Sequence, residues 1–332
     1  MAKGTREVTL CCAQWADLEF EELCATAADM GYDGLELACW GNCFSIDKAY
    51  EDDGYVKSIK DTMAKYGLVC RALATHIIGQ CVGDLPDPRL NNFAPAELAD
   101  QPDAIREWAV KTMMKVPTVA KKMGVSIITG FLGSPIWKLW YSFPQTTEQM
   151  VEDGYDQIVK LWSPILDEFA KYGVKFAFEA HPGEIAYDYY STMKLLDKFK
   201  GRPEFGLNFD PSHFQWQGMK PHLCLADFGD KVYHVHMKDV SVTLDGRSGL
   251  LGSHIDFGDM RRGWNLRSLG RGDVNFEEIV RVLNAIGYDG PLSVEWEDSG
   301  MDRLAGAKEA CEFAKKMNFA PSDVKFDKAI AN

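Results

Sequence analysis

The 332-residue sequence lacks an excess of basic residues, because 36 Lys and Arg face 49 Asp and Glu, which gives a formal net charge of −13. A protein that binds the phosphate backbone needs a basic face, so this deficit argues against nucleic-acid binding. The sequence also lacks an apolar run of the roughly 18–20 residues that a membrane helix requires. Its first segment, MAKGTREVTL, has no apolar core of a secretory signal. We therefore expect a cytoplasmic protein with no nucleic-acid and no membrane partner.

Cysteine is present nine times, but CxxC pairs are absent. An odd number without paired spacing argues against a disulfide framework and against a structural zinc site. Cys11, Cys12 and Cys70 lie in apolar, strand-like segments. We interpret the cysteines as small buried hydrophobic residues of a reducing compartment. A catalytic or metal-binding cysteine is the alternative interpretation.

Glycine-rich nucleotide-binding motifs are also absent. No G-x-G-x-x-G follows the first strand-like segment and no Walker motif occurs, which argues against a doubly wound nucleotide-binding sheet. Instead, eight strand-like segments alternate with eight helix-like segments, a pattern that predicts parallel strands with helical crossovers. Eight such units close into a (β/α)₈ TIM barrel, and the open doubly wound sheet is the alternative. The predicted strands are residues 7–14, 33–39, 68–76, 125–131, 174–181, 204–210, 231–239 and 290–298.

The length of the chain exceeds the roughly 250 residues typical of such a barrel. Residues 1–317 are predicted to form a single catalytic domain, and residues 318–332 a C-terminal tail or arm. Three connections are too long to be simple turns, namely the loops after strands 3, 4 and 7. They span residues 77–103, 132–147 and 240–275. All three loops are predicted to lie on the catalytic face, where the carboxyl ends of the barrel strands meet.

Ionisable residues stand near the C-terminal ends of four consecutive predicted strands. These residues are Glu179, Asp210, His236 and Glu295, on predicted strands five to eight. Burying three carboxylates together is very unfavourable without a cation. A set of oxygen ligands with one imidazole suits Mn²⁺, Mg²⁺ or Co²⁺ better than a structural zinc ion. The sequence therefore predicts one divalent metal ion, Mn²⁺ or else Mg²⁺ or Co²⁺, at the mouth of the barrel.

Further polar and aromatic side chains are predicted to face the same mouth and to bind substrate. They are Glu36, His76, His181 and His234 on predicted strands, and Trp137, Trp140, Trp216, His254, Arg261 and Arg267 in loops. For the aromatic residues the alternative is hydrophobic packing of long loops, and for the charged loop residues it is a solvated position. Lys138 is a candidate acid–base residue if it points into the mouth, and a surface residue otherwise.

Together these motifs resemble the xylose-isomerase-like TIM barrels, the sugar phosphate isomerase/epimerase superfamily. The resemblance rests on F-x-F-E, D-P-S-H, H-V-H-M-K-D, G-R-G-D-V-N-F and V-E-W-E, and it covers almost the whole chain. It implies that Glu179, Asp210, His236 and Glu295 hold one divalent metal ion. It also implies that His213 contacts the substrate or metal-bound hydroxyls.

The predicted site indicates a reaction class. A metal ion bound to a sugar carbonyl and its neighbouring hydroxyl acts as a Lewis acid. Glu179 and Glu295, on opposite walls, can take or give the proton of the adjacent carbon. Isomerisation, epimerisation and β-elimination all begin with this proton abstraction. Endonuclease IV belongs to the same superfamily, but seven histidines and the net charge of −13 argue against its trinuclear zinc site and basic DNA face.

Two features separate the sequence from the ketose 3-epimerases of the superfamily. Those enzymes have an arginine six residues after the metal-binding histidine, where this chain has Val242. The long aromatic loops resemble instead the large subunit of bacterial C-glycoside deglycosidases. That resemblance implies a lyase that eliminates the aromatic aglycone from a 3-oxo-C-glucoside, accompanied by a small β-sandwich-like partner subunit. The alternatives are a sugar or inositol-derivative isomerase or epimerase with the same metal site, and a non-catalytic sugar-binding barrel.

Overall fold

Eight parallel strands close into a barrel in the computed structural model, which describes residues 6–322. The strands are β1 (Val8–Cys11), β2 (Gly34–Ala38), β3 (Val69–Ala74), β4 (Ile127–Gly130), β5 (Lys175–Glu179), β6 (Phe205–Phe209), β7 (Val232–Met237) and β10 (Leu292–Val294). The first and last of them pair in parallel, with Leu10 opposite Val294, and this pairing removes both sheet edges. The predicted (β/α)₈ barrel is therefore confirmed, and the open doubly wound sheet is excluded.

Eight helices of the structure match the eight predicted helical segments. They are α1 (Phe20–Asp29), α3 (Asp53–Lys65), α5 (Pro102–Met123), α6 (Glu148–Tyr172), α7 (Tyr189–Lys198), α9 (Pro221–Phe228), α10 (Phe276–Ala285) and α11 (Arg303–Met317). Asn275 caps α10, since the backbone N–H of Glu278 donates to its Oδ1 at 3.2 Å. Helices α5 and α6 end at Gly124 and Gly173, whose φ angles of +81° and +64° suit glycine.

Four elements were not predicted. Three are short helices, α2 (Ile46–Glu51), α4 (His76–Gly83) and α8 (Pro211–Trp216), and the fourth is an antiparallel hairpin of β8 (Asp239–Val242) and β9 (Trp264–Arg267). The predicted loops 77–103 and 240–275 are thus partly regular structure. Helices of six to eight residues show too little periodicity to be recognised. The hairpin strands are separated by residues 243–263, so no short turn motif marks them.

The layer between the barrel strands and the surrounding helices is apolar. Trp162 of α6 packs on Phe176 of β5 with ring centroids 4.8 Å apart, and both side chains are fully buried. The two ends of the described chain are joined, because Asn318 Nδ2 donates to the backbone oxygen of Arg6 at 2.6 Å. The start of the predicted C-terminal arm therefore packs on the barrel, while residues 323–332 lie outside the described part of the chain.

No helix within residues 6–322 is long and apolar enough to cross a membrane.

Candidate metal centre

The four predicted metal ligands converge at the carboxyl ends of adjacent strands. Glu179 ends β5, Asp210 follows β6, His236 lies in β7 and Glu295 follows β10. One donor atom of each residue lies within 4.8 Å of a donor atom of the other three. Glu295 keeps its place in the barrel wall because its backbone N–H donates to the oxygen of Met237 at 3.3 Å. Three carboxylates and one imidazole therefore face a common point.

The chemistry of this donor set fits a divalent cation. Nδ1 of His236 lies 3.1 Å from Glu179 Oε2 and 2.9 Å from Glu295 Oε2. Among residues 6–322, this buried Nδ1 has no partner in hydrogen-bonding geometry. Buried polar atoms without partners are costly unless an ion or water satisfies them. Glu179, Asp210, His236 and Glu295 are thus the residues that would hold the metal ion.

A buried carboxylate below the centre orients His236. Nε2 of His236 lies 3.1 Å from Glu36 Oε2, and because a carboxylate only accepts, this nitrogen carries the proton. The lone pair of Nδ1 is therefore left for the metal side. Glu36 also accepts from His234 Nε2 at 2.9 Å, from Ser293 Oγ at 2.6 Å and from Thr129 Oγ1. Such carboxylate–histidine pairs fix the ring and its tautomer in metal sites.

Two further histidines contact Glu179. His76 Nε2 lies 3.1 Å from Glu179 Oε2, and His213 Nε2 lies 3.3 Å from Glu179 Oε1. Asn208 Nδ2 donates to the same Oε2 at 2.9 Å. The His213 ring also lies 3.4 Å from Asp210 Oδ2, so it spans two of the metal ligands. These contacts hold the Glu179 carboxylate in one orientation.

Lys238 was not assigned a role from the sequence, yet it lies inside the centre. Its ammonium group is 2.8 Å from Asp210 Oδ2 and 2.7 Å from Glu295 Oε2, and the side chain is only 3 % exposed. Glu297 approaches the same ammonium group at 3.5 Å and accepts from Gln14 Nε2 at 2.6 Å. The two-residue spacing from His236 and from Glu295 is a sequence signal from which Lys238 and Glu297 could have been predicted. Every second residue of a strand faces the same side, so Lys238 follows His236 inward and Glu297 follows Glu295.

The charges in the centre favour the ionised forms of Glu179 and His236. Burial of the Glu179 carboxyl opposes its ionisation, but His236, His213 and His76 hold its pKa well below the ordinary value. Burial likewise opposes the charge of His236, but the neighbouring carboxylates raise its pKa well above the ordinary value. A metal ion must therefore displace a proton from His236 to bind, which makes metal affinity fall with falling pH.

Above the centre opens a cavity of about 1230 Å³, here called the vestibule. Its lining includes the predicted substrate-binding residues His181, His254, Trp137, Trp140 and Trp216, together with His213 and Glu297. The Trp216 ring stacks on Trp264 at 4.3 Å with an interplanar angle of 5°. Arg262 covers the other face of Trp264, with its guanidinium carbon 4.4 Å from the ring centroid. The long loops after strands β4 and β7 therefore build much of an aromatic wall beside the metal centre.

The other predicted site residues lie elsewhere. Glu36 and His234 are fully buried beneath the metal ligands, so their position does not support the predicted substrate contact. Lys138 is exposed on its loop and does not line the vestibule, so its position gives no support to acid–base work. Arg261 is exposed and pairs with Asp259. Arg267 is half-buried, with its guanidinium 3.9 Å from Asp298 Oδ1.

The cysteines show no disulfide, and eight of the nine are buried. Cys11 lies near Glu36 and His236, within reach of a shared metal ion. Burial raises the pKa of the Cys11 thiol, which keeps it neutral. A neutral thiol is a poor metal ligand, so Cys11 serves as packing beneath the centre.

Comparison with known families extends this description. Residues 24–317 match the family model described as xylose isomerase-like TIM barrel. The uncharacterised protein YfiH of Bacillus subtilis is 26% identical over 315 residues, which cover 90% of this chain and 95% of that protein. An inosose dehydratase of Clostridium beijerinckii is 26% identical over 204 residues, which cover 59% of this chain and 60% of the relative.

The structure of the IolI protein with a bound zinc atom superimposes with a TM-score of 0.60 at 19% identity. It covers 94% of this chain and 96% of the other. Other matching structures include sugar epimerases and a probable dehydratase. At these identities the structural matches establish the shared barrel and no more.

Proposed function

Since the chain belongs to the xylose isomerase-like TIM-barrel family, we propose that it is a divalent-metal-dependent enzyme that abstracts a proton beside the carbonyl of a sugar or cyclic polyol. One observation carries the proposal. Oε2 of Glu179 and Oε2 of Glu295 lie 3.1 Å and 2.9 Å from the same atom, His236 Nδ1, so both carboxylates belong to one donor cluster. Two carboxylates in this arrangement can serve the two faces of a substrate carbon.

Bound between these ligands, a divalent ion would supply Lewis acidity to the substrate carbonyl. The chain supplies the proton chemistry. One of the two glutamates accepts the proton from the carbon next to the carbonyl, and the other returns it or assists a leaving hydroxyl. His213, 3.3 Å from Glu179, orients that carboxylate and presents its ring to the vestibule. Lys238 holds Glu295 from the other side at 2.7 Å.

A keto-inositol or a keto-sugar is the substrate class that we propose. Epimerisation and dehydration beside a carbonyl can both begin with this proton abstraction, and the matches include a sugar epimerase and an inosose dehydratase. The metal is Mn²⁺, Mg²⁺ or Co²⁺ by the oxygen-rich donor set, and a zinc-binding neighbour keeps Zn²⁺ among the ions to test.

We expect the metal-loaded protein to exchange the carbon-bound proton next to the carbonyl of 2-keto-myo-inositol with deuterium from D₂O. Exchange should exceed the buffer rate at least about 100-fold, the lower range of general acid–base catalysis. Proton NMR measures the loss of the signal and any dehydrated product. The Arg247→Ala variant should keep the activity, because Arg247 is exposed, pairs with Asp245 and does not line the vestibule. Exchange at the buffer rate for this ketone and for a panel of keto-hexoses would refute the proposal.

The vestibule favours a second candidate, the aryl C-glycoside lyase. Its volume of about 1230 Å³ exceeds the roughly 300–1,000 Å³ typical of small-molecule pockets, so a single sugar ring leaves much of it unfilled. The stacked Trp216 and Trp264 offer a face to a planar aglycone. In this reaction a glutamate removes the C2 proton of a 3-oxo-C-glucoside, the C1–aryl bond breaks, and the aryl carbon takes up a proton. The small partner subunit predicted from the sequence stays a prediction.

We expect an aryl 3-oxo-C-glucoside to release free aglycone if this second candidate holds. Chromatography measures the aglycone with Mn²⁺ and a candidate partner subunit present. Trp216→Ala should then raise KM about 10-fold, in line with the roughly 1–3 kcal/mol that stacking on an aromatic side chain contributes. The exposed Tyr190→Ala is the matched control, since Tyr190 lies outside the vestibule. Deuterium exchange with keto-inositol but no aglycone would leave the first candidate alone.

A further inference from the structure

A second pair of carboxyl groups, one buried and one half-buried, lies apart from the metal centre. Glu184 follows β5 and is 1 % exposed, and Asp84 caps the end of α4. The backbone N–H groups of Leu132 and Gly133 both donate to Glu184 Oε2 at 2.8 Å. The next N–H, of Ser134, donates to Asp84 Oδ1 at 2.6 Å. Three successive amides of the loop after β4 are thus bound by two carboxyl groups.

The two loops that meet at Glu184 carry adjoining parts of the vestibule lining. The loop after β4 continues to Trp137 and Trp140, and the loop after β5 continues from Glu184 to Tyr187. The rings of Trp137 and Tyr187 meet at 5.2 Å. Within its own loop Glu184 is fixed by its backbone N–H, which donates to the oxygen of His181 at 3.0 Å. Glu184 therefore joins the two loops at their bases. The loop that carries Trp137 is called the Trp137 wall, and the loop that carries Tyr187 is called the Tyr187 wall.

The space around this joint leaves little freedom. A Cβ on Gly133 would lie 2.4 Å from the backbone oxygen of Gln80, and its φ angle is +77°. A Cβ on Gly83 would lie 2.2 Å from the oxygen of Leu132. Helix α4 and the loop after β4 are in backbone contact, so a shift at Glu184 moves the loop as a unit.

We propose that Glu184 is a positioning residue that sets the distance between the Trp137 wall and the Tyr187 wall of the vestibule, and that it does so as an uncharged carboxylic acid. Its second oxygen, Oε1, is buried and has no hydrogen-bond partner among the described residues. An anionic carboxylate would leave that charge half unsatisfied. A neutral acid accepts both N–H bonds on its carbonyl oxygen and leaves one buried O–H group, whose burial costs less than that of a charge.

The charged surroundings agree with a neutral Glu184. Burial and then the charge of Asp84 raise the pKa of Glu184 to about 8, against the two amide donors. Gln80 Nε2 donates to Asp84 Oδ2 at 2.9 Å, so both oxygens of Asp84 have hydrogen-bond donors, unlike those of Glu184. The ionisable groups nearby are Asp84, Cys81, Arg106, Arg89 and Asp87 on or next to α4 and α5, and His181 in the loop of Glu184.

Comparison of Glu184→Gln with Glu184→Ala tests the proposal. Hydrogen exchange by mass spectrometry should show at least about 10-fold faster exchange in Glu184→Ala for both segments 131–140 and 184–190. Glu184→Gln should stay within about 3-fold of wild type, because its amide oxygen accepts the same two N–H bonds. A side chain that only fills space would give the same result for both variants.

The pH dependence of stability supplies the second readout. The raised pKa of Glu184 makes the folded protein lose stability as pH rises from about 4.5 to about 8. Glu184→Gln removes this loss, so its Tm advantage over wild type should grow by a few degrees between pH 5 and pH 8. When Asp84→Asn is present in both proteins, the Tm difference between Glu184→Gln and Glu184 should grow less between pH 5 and pH 8. A constant Tm difference, or equal exchange in both variants, would overturn the proposal, and neither readout depends on the reaction proposed above.

Discussion

Replacement of Glu179 by Gln, or of Glu295 by Gln, is expected to lower kcat about 10³-fold or more. Each substitution removes a carboxylate that accepts a proton, which alone accounts for roughly 10²–10⁴-fold. Each also removes one of three anionic groups that face the same point. The rate of deuterium uptake into 2-keto-myo-inositol, measured at saturating Mn²⁺, is the test. A rate near wild type in either variant would refute the mechanism with two carboxylates.

Activity measured against metal concentration separates the loss of a proton acceptor from the loss of a metal ligand. Asp210→Asn is the matched control, because Asp210 is a predicted ligand that stands outside the facing pair of glutamates. We expect Asp210→Asn to recover part of its activity as the Mn²⁺ concentration rises. Glu179→Gln and Glu295→Gln should stay inactive even when fully loaded with metal. Equal recovery in all three variants would mean that the glutamates serve only as ligands.

Glu36→Gln is expected to weaken metal binding about 10–100-fold without unfolding the barrel. Neutral Gln keeps the shape, but its amide cannot accept from His236, His234 and Ser293 as the carboxylate does. Loss of such a partner behind a metal-binding histidine has this magnitude in other sites. Glu36→Ala should cost about 3–5 kcal/mol of stability, because it leaves the buried donors of His236, His234 and Ser293 without their acceptor.

Thermal unfolding during a Mn²⁺ titration measures both effects. Wild-type Tm should rise with metal concentration, since a ligand of the folded state stabilises it. The Glu36→Gln curve should reach the same plateau at a higher Mn²⁺ concentration, and exposed Glu97→Gln should follow wild type. Identical titration curves for Glu36→Gln and wild type would show that Glu36 does not support the metal ligands.

The sequence predicted the barrel because its eight apolar runs alternate with amphipathic helices, a pattern that tertiary packing reinforces. The four ligands were predicted because a parallel barrel brings the carboxyl ends of its strands to one face. The depth at which each side chain lies inside the barrel could not be predicted in the same way. Glu36 and His234 face inward like His236, but the stagger of the strands places them one layer lower.

The vestibule shows the same limit. Its aromatic residues were recognised, whereas the stacking of Trp216 on Trp264 depends on how a hairpin of distant strands folds over α8. Contacts of this kind join loops far apart in sequence, and no local pattern encodes them. Lys238 was passed over because a lysine after a strand is usually solvated, and its burial follows from three carboxylates that converge only in the closed barrel.

The Glu36 carboxylate binds side chains from β4, β7 and β10 while belonging to β2. Glu36 lies on the second barrel strand to be synthesised, and Ser293 lies on the last, 257 residues later. A nascent chain that still lacks β10 has neither Ser293 nor Glu295, so its metal pocket is incomplete until nearly the whole barrel has left the ribosome. Under the proposed function, metal binding would therefore follow the closure of the barrel.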